Sequence, residues 1–333
     1  MNEAQQIITQ IQKGNLSSVY FLMGDEPFFI DMISNYIEEN LLSEMEKAFN
    51  QMVVYGKDIA VDTLINYARE FPMGAEKRVI IVKEAQELSR TIEQLSVYVE
   101  NPTPTTILVI CYKYGKIDAR KKLAKELKKY VLFESKKLYE NQVATWIPSY
   151  LKTKGYSISP VAIQLLVDFL GTDLNRIANE LNKLSIILPQ NIEITPDVIE
   201  KNIGISKEFN VFELQNALGN RDEVKAVRIV KYFSENQRDN PLPPIIANLY
   251  NYFEKLLIYH GTNDKTEANL AKVLKVNPYF VKDYRLASQY YPMKKVSQNI
   301  ACIRQTDVKS KGVNSGTISY EDLLKELIIQ LIR

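Results

Sequence analysis

The first 139 residues alternate short apolar runs with longer segments whose apolar residues recur at helical spacing. The five runs are rich in β-branched or aromatic residues, which is typical of strands covered on both faces. The predicted strands are 19–23, 51–55, 78–82, 106–111 and 130–134, and the predicted helices between them are Pro27–Asn40, 61–71, 89–100 and 118–129. This alternation predicts right-handed βαβ crossovers and an open parallel sheet between two layers of helices, but it does not predict the order of the strands.

From about Glu140 onward the chain shows helical spacing only, and we expect no further strands. A break at 204–209 separates a first group of helices from seven further helix-period segments. The sequence therefore predicts an α/β parallel-sheet domain over 1–139, followed by two all-α domains, a small helical bundle over 140–208 and a larger domain over 209–333. A compact helical domain of the last kind is more typical of assembly than of an active site.

The turn after the first predicted strand lies where open α/β sheets bind nucleotide phosphates. A phosphate-binding loop would read G-x-x-x-x-G-K-[ST] at this place. Here Phe29 replaces the second glycine, Ile30 the lysine and Asp31 the hydroxyl residue. The positions of this degenerate loop are Gly24, Asp25, Glu26, Pro27, Phe29, Ile30 and Asp31. Acidic residues and a proline suit the first turn of a helix, so we predict a turn that keeps its shape and binds no nucleotide.

The end of the third predicted strand supports the same interpretation. A nucleotide hydrolase would carry an acidic residue there to hold Mg²⁺, whereas this chain has Lys83 followed by Glu84. We interpret Glu84 as a solvated residue at a strand–helix junction.

Composition excludes several classes of protein. The 333 residues are 46% hydrophobic and 25% charged, as in globular domains, and the net charge is only +2. One histidine and two cysteines are too few for a zinc site, so no metal and no cofactor are expected. A catalytic triad would need His260, which the pattern places at the end of a helix before Gly261, where a cation suits the helix dipole. The two cysteines, Cys111 and Cys302, are too few for a disulfide framework, and we expect them to be reduced thiols.

The chain has neither a run of about 18 apolar residues nor the pattern of a secretory signal at its start. We therefore expect a cytoplasmic protein with no membrane partner.

Six segments stand out in order along the chain: VYFLMGDEPFFIDMI, FPMGAEKRVIIVKEA, DARKKL, GTDLNRIANELNKL, FNVFELQNALGNRD and DVKSKG. Together they resemble the delta subunits of the bacterial DNA polymerase III clamp loader. The resemblance implies an AAA+-like fold that binds no ATP and has no catalytic activity of its own. It also implies a subunit of the DNA polymerase III holoenzyme that binds the sliding clamp and opens, or holds open, its ring. The partners would be the ATPase and other subunits of a pentameric loader, whose collar the last domain joins, and primed DNA through the assembly.

The clamp-contacting turn of that family corresponds to Phe71, Pro72, Met73 and Gly74. Family members often carry Leu-Phe at the positions of Met73 and Gly74, so an aromatic side chain is missing at residue 74. Either Phe71 or Met73 supplies the anchor, or the pocket on the clamp differs. The alternative is that Phe71 and Met73 merely cap the sheet.

The predicted helix 118–129 carries a run of basic residues, with Ala119, Leu123, Leu127 and Tyr130 as its expected buried side. The basic residues that could contact DNA are Arg120, Lys121, Lys122, Lys125 and Lys128. A charge run of this kind is usually a solvated face, but near duplex phosphates it would give sequence-independent contacts. Two further functions stay open at this point: an authentic AAA+ nucleotide hydrolase with a divergent phosphate loop, and a stand-alone nucleic-acid-binding module.

Overall fold

The structure, a computed structural model, describes residues 3–206, 208–312 and 318–333. It divides into two compact units, Met1–Leu138 and Tyr139–Arg333. The predicted break at 204–209 includes residue 207, which lies outside the described residues.

The first unit is built on a five-stranded sheet in which every neighbouring pair is parallel. Its strands are β1 (Val19–Gly24), β2 (Gln51–Tyr55), β3 (Arg78–Lys83), β4 (Thr106–Lys113) and β5 (Val131–Ser135). The five predicted strands are confirmed to within two residues at each end. Their order is β2-β3-β4-β1-β5, and all six residues of β1 are buried between β4 and β5. The turn after β1 therefore opens at the carboxyl edge of the sheet, next to the ends of two other strands.

Helices of the first unit cover the sheet. They are α1 (Glu3–Gln12), α2 (Pro27–Asn40), α3 (Glu44–Asn50), α4 (Val61–Arg69), α5 (Ser96–Val99) and α6 (Lys122–Leu127). The predicted helix at Pro27–Asn40 is confirmed, and that at 61–71 ends two residues early, which leaves Phe71 outside the helix. The sequence pattern did not predict α1 or α3.

Two predicted helices are wrong in their extent. The segment 89–100 contains a 3-10 turn at Ile92–Leu95 and the short helix α5, after an earlier 3-10 turn at Ala85–Leu88. Successive short turns bury one apolar residue every three or four positions, so their pattern mimics that of one continuous helix.

The segment 118–129 is helical only in α6. The Asp118 carboxylate accepts a hydrogen bond from the Arg120 backbone N–H (3.0 Å), so the segment begins as a side-chain-stabilised turn and not as a helix. Ala119, expected on the buried side, is exposed, and Ala124 is buried together with Leu123 and Leu127.

The second unit is almost entirely helical. Its helices are α7 (Glu140–Lys152), α8 (Pro160–Leu170), α9 (Leu174–Ile187), α10 (Pro196–Ile203), α11 (Val211–Gly219), α12 (Glu223–Glu235), α13 (Leu242–Gly261), α14 (Glu267–Leu274), α15 (Val281–Tyr290), α16 (Met293–Ser310) and α17 (Tyr320–Ile332). The expectation of no further strands is wrong in one detail, because β6 (Ser157–Ile158) pairs with β7 (Glu193–Ile194). Strands of two residues are too short to show a period of two. The division of this unit between residues 208 and 209 stays a prediction.

An apolar core joins α11–α17, with Phe233, Phe253 and Tyr291 among its fully buried side chains. His260 lies in the last turn of α13, as expected, and its Nε2 is 2.7 Å from the Tyr291 carbonyl oxygen. The chain's single histidine therefore ties α13 to the end of α15, which is a structural role.

A small polar cavity of about 40 Å³ lies within the second unit and is lined by Asp168, Lys255, Asp283 and Tyr284 among others. One Asp168 oxygen accepts a hydrogen bond from the Gln164 side chain (2.8 Å), and the other is buried without a hydrogen-bond partner among the described residues. Burial raises the pKa of Asp168 to about 7. The fold therefore favours the protonated carboxyl.

Replacing Asp168 by asparagine should remove a pH dependence of the free energy of unfolding. An unfolded aspartate has a pKa near 3.9, so the stabilisation from protonated Asp168 is complete below roughly pH 4 and is lost as the pH rises to about 7. Urea unfolding at about pH 5 and about pH 8 checks this: the wild-type chain should lose more stability between the two than Asp168→Asn does. Equal losses would contradict a protonated carboxyl at this position.

Candidate functional site

The turn after β1 is closed by the chain itself. Gly24 has φ of +127°, and a Cβ atom there would collide with the Ser135 carbonyl oxygen at the end of β5. The Asp25 backbone N–H donates to that same oxygen at 2.9 Å. The approach of β5 therefore accounts for the glycine, with no phosphate required.

The N-terminus of α2 already holds an acidic group. The buried Glu26 side chain caps the helix and accepts a hydrogen bond from the Phe28 N–H (3.2 Å), while Pro27 has no N–H to offer. A phosphate at this helix end would have to displace that carboxylate. Phe29 and Ile30 are buried, so the positions of the second glycine and the lysine of a phosphate loop belong to the core.

An internal ion-pair cluster lies nearby, at the carboxyl ends of β3 and β4. Lys113 Nζ, at the end of β4, is 2.9 Å from a carboxylate oxygen of Asp31 and 2.8 Å from one of Glu84. Glu84 also accepts a hydrogen bond from Gln86 Nε2 at 2.6 Å. Glu84 thus lies at the junction and is partly exposed, as interpreted, but its carboxylate is also bound on two sides, which the interpretation did not include. Lys83 pairs elsewhere, with Glu38 at 2.7 Å.

Lys113 and Glu84 stay charged at neutral pH. Burial alone would lower the pKa of Lys113, but the hydrogen bonds and negative charges of Glu84 and Asp31 outweigh it and raise the pKa to about 12. Burial would raise the pKa of Glu84, but hydrogen bonds from Lys113 and Gln86 hold it below its ordinary value. In a nucleotide hydrolase this edge of the sheet would present free charged groups to phosphate and Mg²⁺, whereas here Lys113 is bound by two carboxylates. Sequence reasoning missed Lys113, although a lysine at the end of an otherwise buried strand can indicate an ion pair at the edge of the sheet.

Replacing Lys113 by methionine should destabilise the first unit by about 2 kcal/mol, because two carboxylates then face each other without a cation. Urea unfolding of the full chain measures the change. Lys116→Met is a matched control, since Lys116 forms an exposed pair with Glu134 and its loss should have little effect. If both variants behave alike, Lys113 does not hold this edge together.

The predicted apolar turn projects into solvent. The Phe71 and Met73 side chains are 76% and 67% exposed, so they do not cap the sheet. Gly74 has φ of +65°, a left-handed conformation that a phenylalanine would adopt only with strain. The backbone thus gives a physical reason for the missing aromatic residue at this position.

The backbone of this turn is held by a residue that sequence reasoning missed. Asn50, buried at the end of α3, accepts a hydrogen bond from the Met73 N–H (2.7 Å) and donates one to the Met73 carbonyl oxygen (2.9 Å). At the base of the turn, Glu70 pairs with Arg78 at 2.8 Å. Two exposed apolar side chains are therefore carried on a fixed main chain. A pairing across 23 residues leaves no local pattern that could have indicated it.

The basic segment is largely paired with the chain's own acids. Arg120 pairs with Asp118 at 2.8 Å, Lys121 lies 3.8 Å from Glu93, and Lys122 pairs with Glu100. Lys125 and Lys128 are exposed and, within the described residues, show no ion pair. Exposed pairs of this kind are weak, so the arrangement favours a solvated face and leaves a contact with phosphates as a prediction.

Across the described ranges, no three His, Cys, Asp or Glu side chains are grouped so that they could hold a metal ion. Likewise, none of the helices described has the length and apolar character needed to cross a membrane.

Fold and site together define a class: an α/β domain on a five-stranded parallel sheet, whose turn after β1 is closed by Glu26 and Ser135, followed by a large helical part. The family model for the DNA polymerase III delta subunit matches residues 20–136, and the model for the C-terminal domain of that subunit matches residues 208–331. The chain belongs to the delta subunit family of DNA polymerase III.

Two relatives that match almost the whole length of this chain are also delta proteins. The chain is 28% identical to DNA polymerase III subunit delta of Bacillus subtilis, over 97% of this chain and 95% of that protein. It is similar to the solved structure of the Bacillus subtilis DNA clamp loader delta protein, with a TM-score of 0.56, 27% identity and 99% of both chains covered. The solved structure of the Thermotoga maritima RuvB branch migration motor is far more distant, at 12% identity and a TM-score of 0.34.

Proposed function

We propose that this chain is the non-catalytic subunit of the clamp loader that binds the sliding clamp through residues 71–74 and opens, or holds open, its ring. Because a ligand shifts an equilibrium only by its excess affinity for one state, ring opening requires a surface that binds the open clamp more tightly than the closed one. The function then depends on an exposed binding surface and needs no reaction centre.

The observation that carries this proposal is the pair of exposed side chains, Phe71 and Met73, on a backbone that Asn50 holds in place. Aromatic and methionine side chains are enriched among interface anchors. A turn that is ordered before binding loses less conformational entropy when it binds. Arg69, Glu70 and Lys77 give this apolar centre a charged rim.

The organisation of the whole chain is consistent with a subunit that assembles with other proteins into a loader. We assign residues 1–139 to clamp binding, 140–208 to a lid-like bundle and 209–333 to a collar that packs against the ATPase and other subunits of a pentameric loader. Primed DNA would meet this subunit through the assembly, with Lys125 and Lys128 as the basic side chains most available to phosphates. A replication subunit of this kind works in the cytoplasm.

The rival function, a nucleotide hydrolase, has little support from the geometry. Glu26 occupies the helix end that a phosphate would need, and Lys113 is bound by Asp31 and Glu84. A stand-alone nucleic-acid-binding module is disfavoured because most of the basic segment is paired internally.

Surface plasmon resonance with the immobilised sliding clamp of the same organism tests the proposal on the full chain. Saturable binding is the expected result, and no binding at micromolar concentrations would contradict it. Titration calorimetry with ATP and Mg²⁺ should show no binding. Micromolar affinity for ATP would instead favour the nucleotide-hydrolase function. Binding of duplex DNA without any binding of the clamp would favour the nucleic-acid-binding module.

A further inference from the structure

Helix α3 is amphipathic in the reverse sense, with its apolar side toward solvent. Met45 and Phe49 are 85% and 67% exposed, and Ala48 between them is exposed as well. Positions i, i+3 and i+4 of a helix share one face. The fully buried residue of α3 is the polar Asn50. An ordinary surface helix would bury the apolar face and expose the polar one.

The fold of α3 does not depend on these apolar side chains. Ser43 and Glu46 form a capping box, in which the Ser43 hydroxyl accepts from the Glu46 N–H (3.4 Å) and Glu46 accepts from the Ser43 N–H (2.9 Å). Lys47 adds an ion pair with Glu44 (2.6 Å) and donates to the Glu39 carbonyl oxygen (3.1 Å). Since polar contacts hold the helix, the exposed methionine and phenylalanine contribute little to folding and are available to a partner.

Asn50 brings the C-terminal end of α3 against the turn that carries Phe71 and Met73. Its side chain makes both hydrogen bonds to the Met73 backbone, and Phe49 is its neighbour along the chain. Phe49 therefore lies one residue along the chain from the contact with Met73, and Met45 lies one helical turn further on. We name Met45, Phe49, Phe71 and Met73 together the apolar patch.

We propose that the exposed face of α3 is a second anchor for the sliding clamp, continuous with the turn at residues 71–74. This inference rests on the proposed function. A protein surface that covers Met73 would meet the end of α3 as well, because the Asn50 side chain ties the two segments together. The occupant we assign to the patch is thus the clamp itself, with an apolar groove that extends past the pocket for Phe71 and Met73. Glu44 and Lys47 would lie at its polar rim.

The test compares two double variants of the full chain in the surface plasmon resonance measurement with the clamp. Met45→Ala/Phe49→Ala should weaken clamp binding at least about tenfold. Its unfolding midpoint should not change, because alanine suits an exposed helical position. The matched control is Ile186→Ala/Ile187→Ala in the second unit, whose side chains are similarly exposed at 85% and 61%. The control should keep wild-type affinity.

The outcomes separate this inference from the proposed function. If the wild-type chain does not bind the clamp, the proposed function itself is wrong. If the wild-type chain binds and Met45→Ala/Phe49→Ala binds equally well, the second anchor is wrong while the function stands. Equal losses in the α3 variant and the control would also overturn it. If the α3 variant keeps clamp affinity but no longer co-purifies with the other loader subunits, α3 meets one of them and the clamp is not its partner.

Discussion

Replacing Phe71 and Met73 together by alanine should weaken binding of the sliding clamp by at least about 30-fold. Truncating a true interface anchor typically costs about 2–4 kcal/mol, and about 2 kcal/mol already corresponds to about 30-fold in affinity. Both side chains project into solvent, so their loss removes no packing from the sheet. The Asn50 hydrogen bonds go to the Met73 backbone and persist in the variant. Affinity should therefore fall while stability and assembly with the other subunits stay the same.

Surface plasmon resonance and urea unfolding of the same preparations measure the two quantities. A control in the same unit is Val97→Ala/Tyr114→Ala, which removes two other exposed apolar side chains. Unchanged affinity in a folded Phe71→Ala/Met73→Ala variant would show that the clamp is held elsewhere. A large loss of stability would contradict the exposure seen in the structure.

Separating the chain between residues 138 and 139 should divide the two proposed binding functions, clamp binding and assembly, completely. The units Met1–Leu138 and Tyr139–Arg333 each have a buried apolar core, one around the sheet and one among α11–α17. The first unit carries Phe71 and Met73, so we expect it to bind the clamp by itself. The second unit should co-purify with the ATPase subunits of the loader and should not capture the clamp.

Co-expression of each unit with the other loader subunits, followed by affinity capture, checks this division. Circular dichroism of the isolated units first establishes that each one folds. Capture of the ATPase subunits by the first unit alone would contradict the assignment of assembly to the helical part. Capture of the clamp by the second unit alone would contradict the role of residues 71–74.

Much of the fold could be predicted because burial leaves a direct trace in the amino-acid pattern. A strand covered on both faces is mostly apolar, as residues 19–23 are, so the five strands are visible as nearly continuous apolar runs. The departure from a phosphate-loop motif is equally visible, because that motif needs particular residues and Phe29 and Ile30 stand in their places. The segment 89–100 was misjudged because successive short turns and a single helix bury apolar residues at nearly the same spacing.

The sequence by itself determined the strands, the degenerate phosphate loop and the apolar turn, since each depends on neighbours along the chain. Only the tertiary structure decided the strand order, the ion pairs of Lys113 and the hydrogen bonds between Asn50 and the Met73 backbone. Lys113 meets Glu84 across 29 residues, and Asn50 meets Met73 across 23. In a sequence, a charged or amide side chain is as compatible with water as with a distant partner. Which of the two it meets depends on how the sheet brings the ends of its strands and loops together.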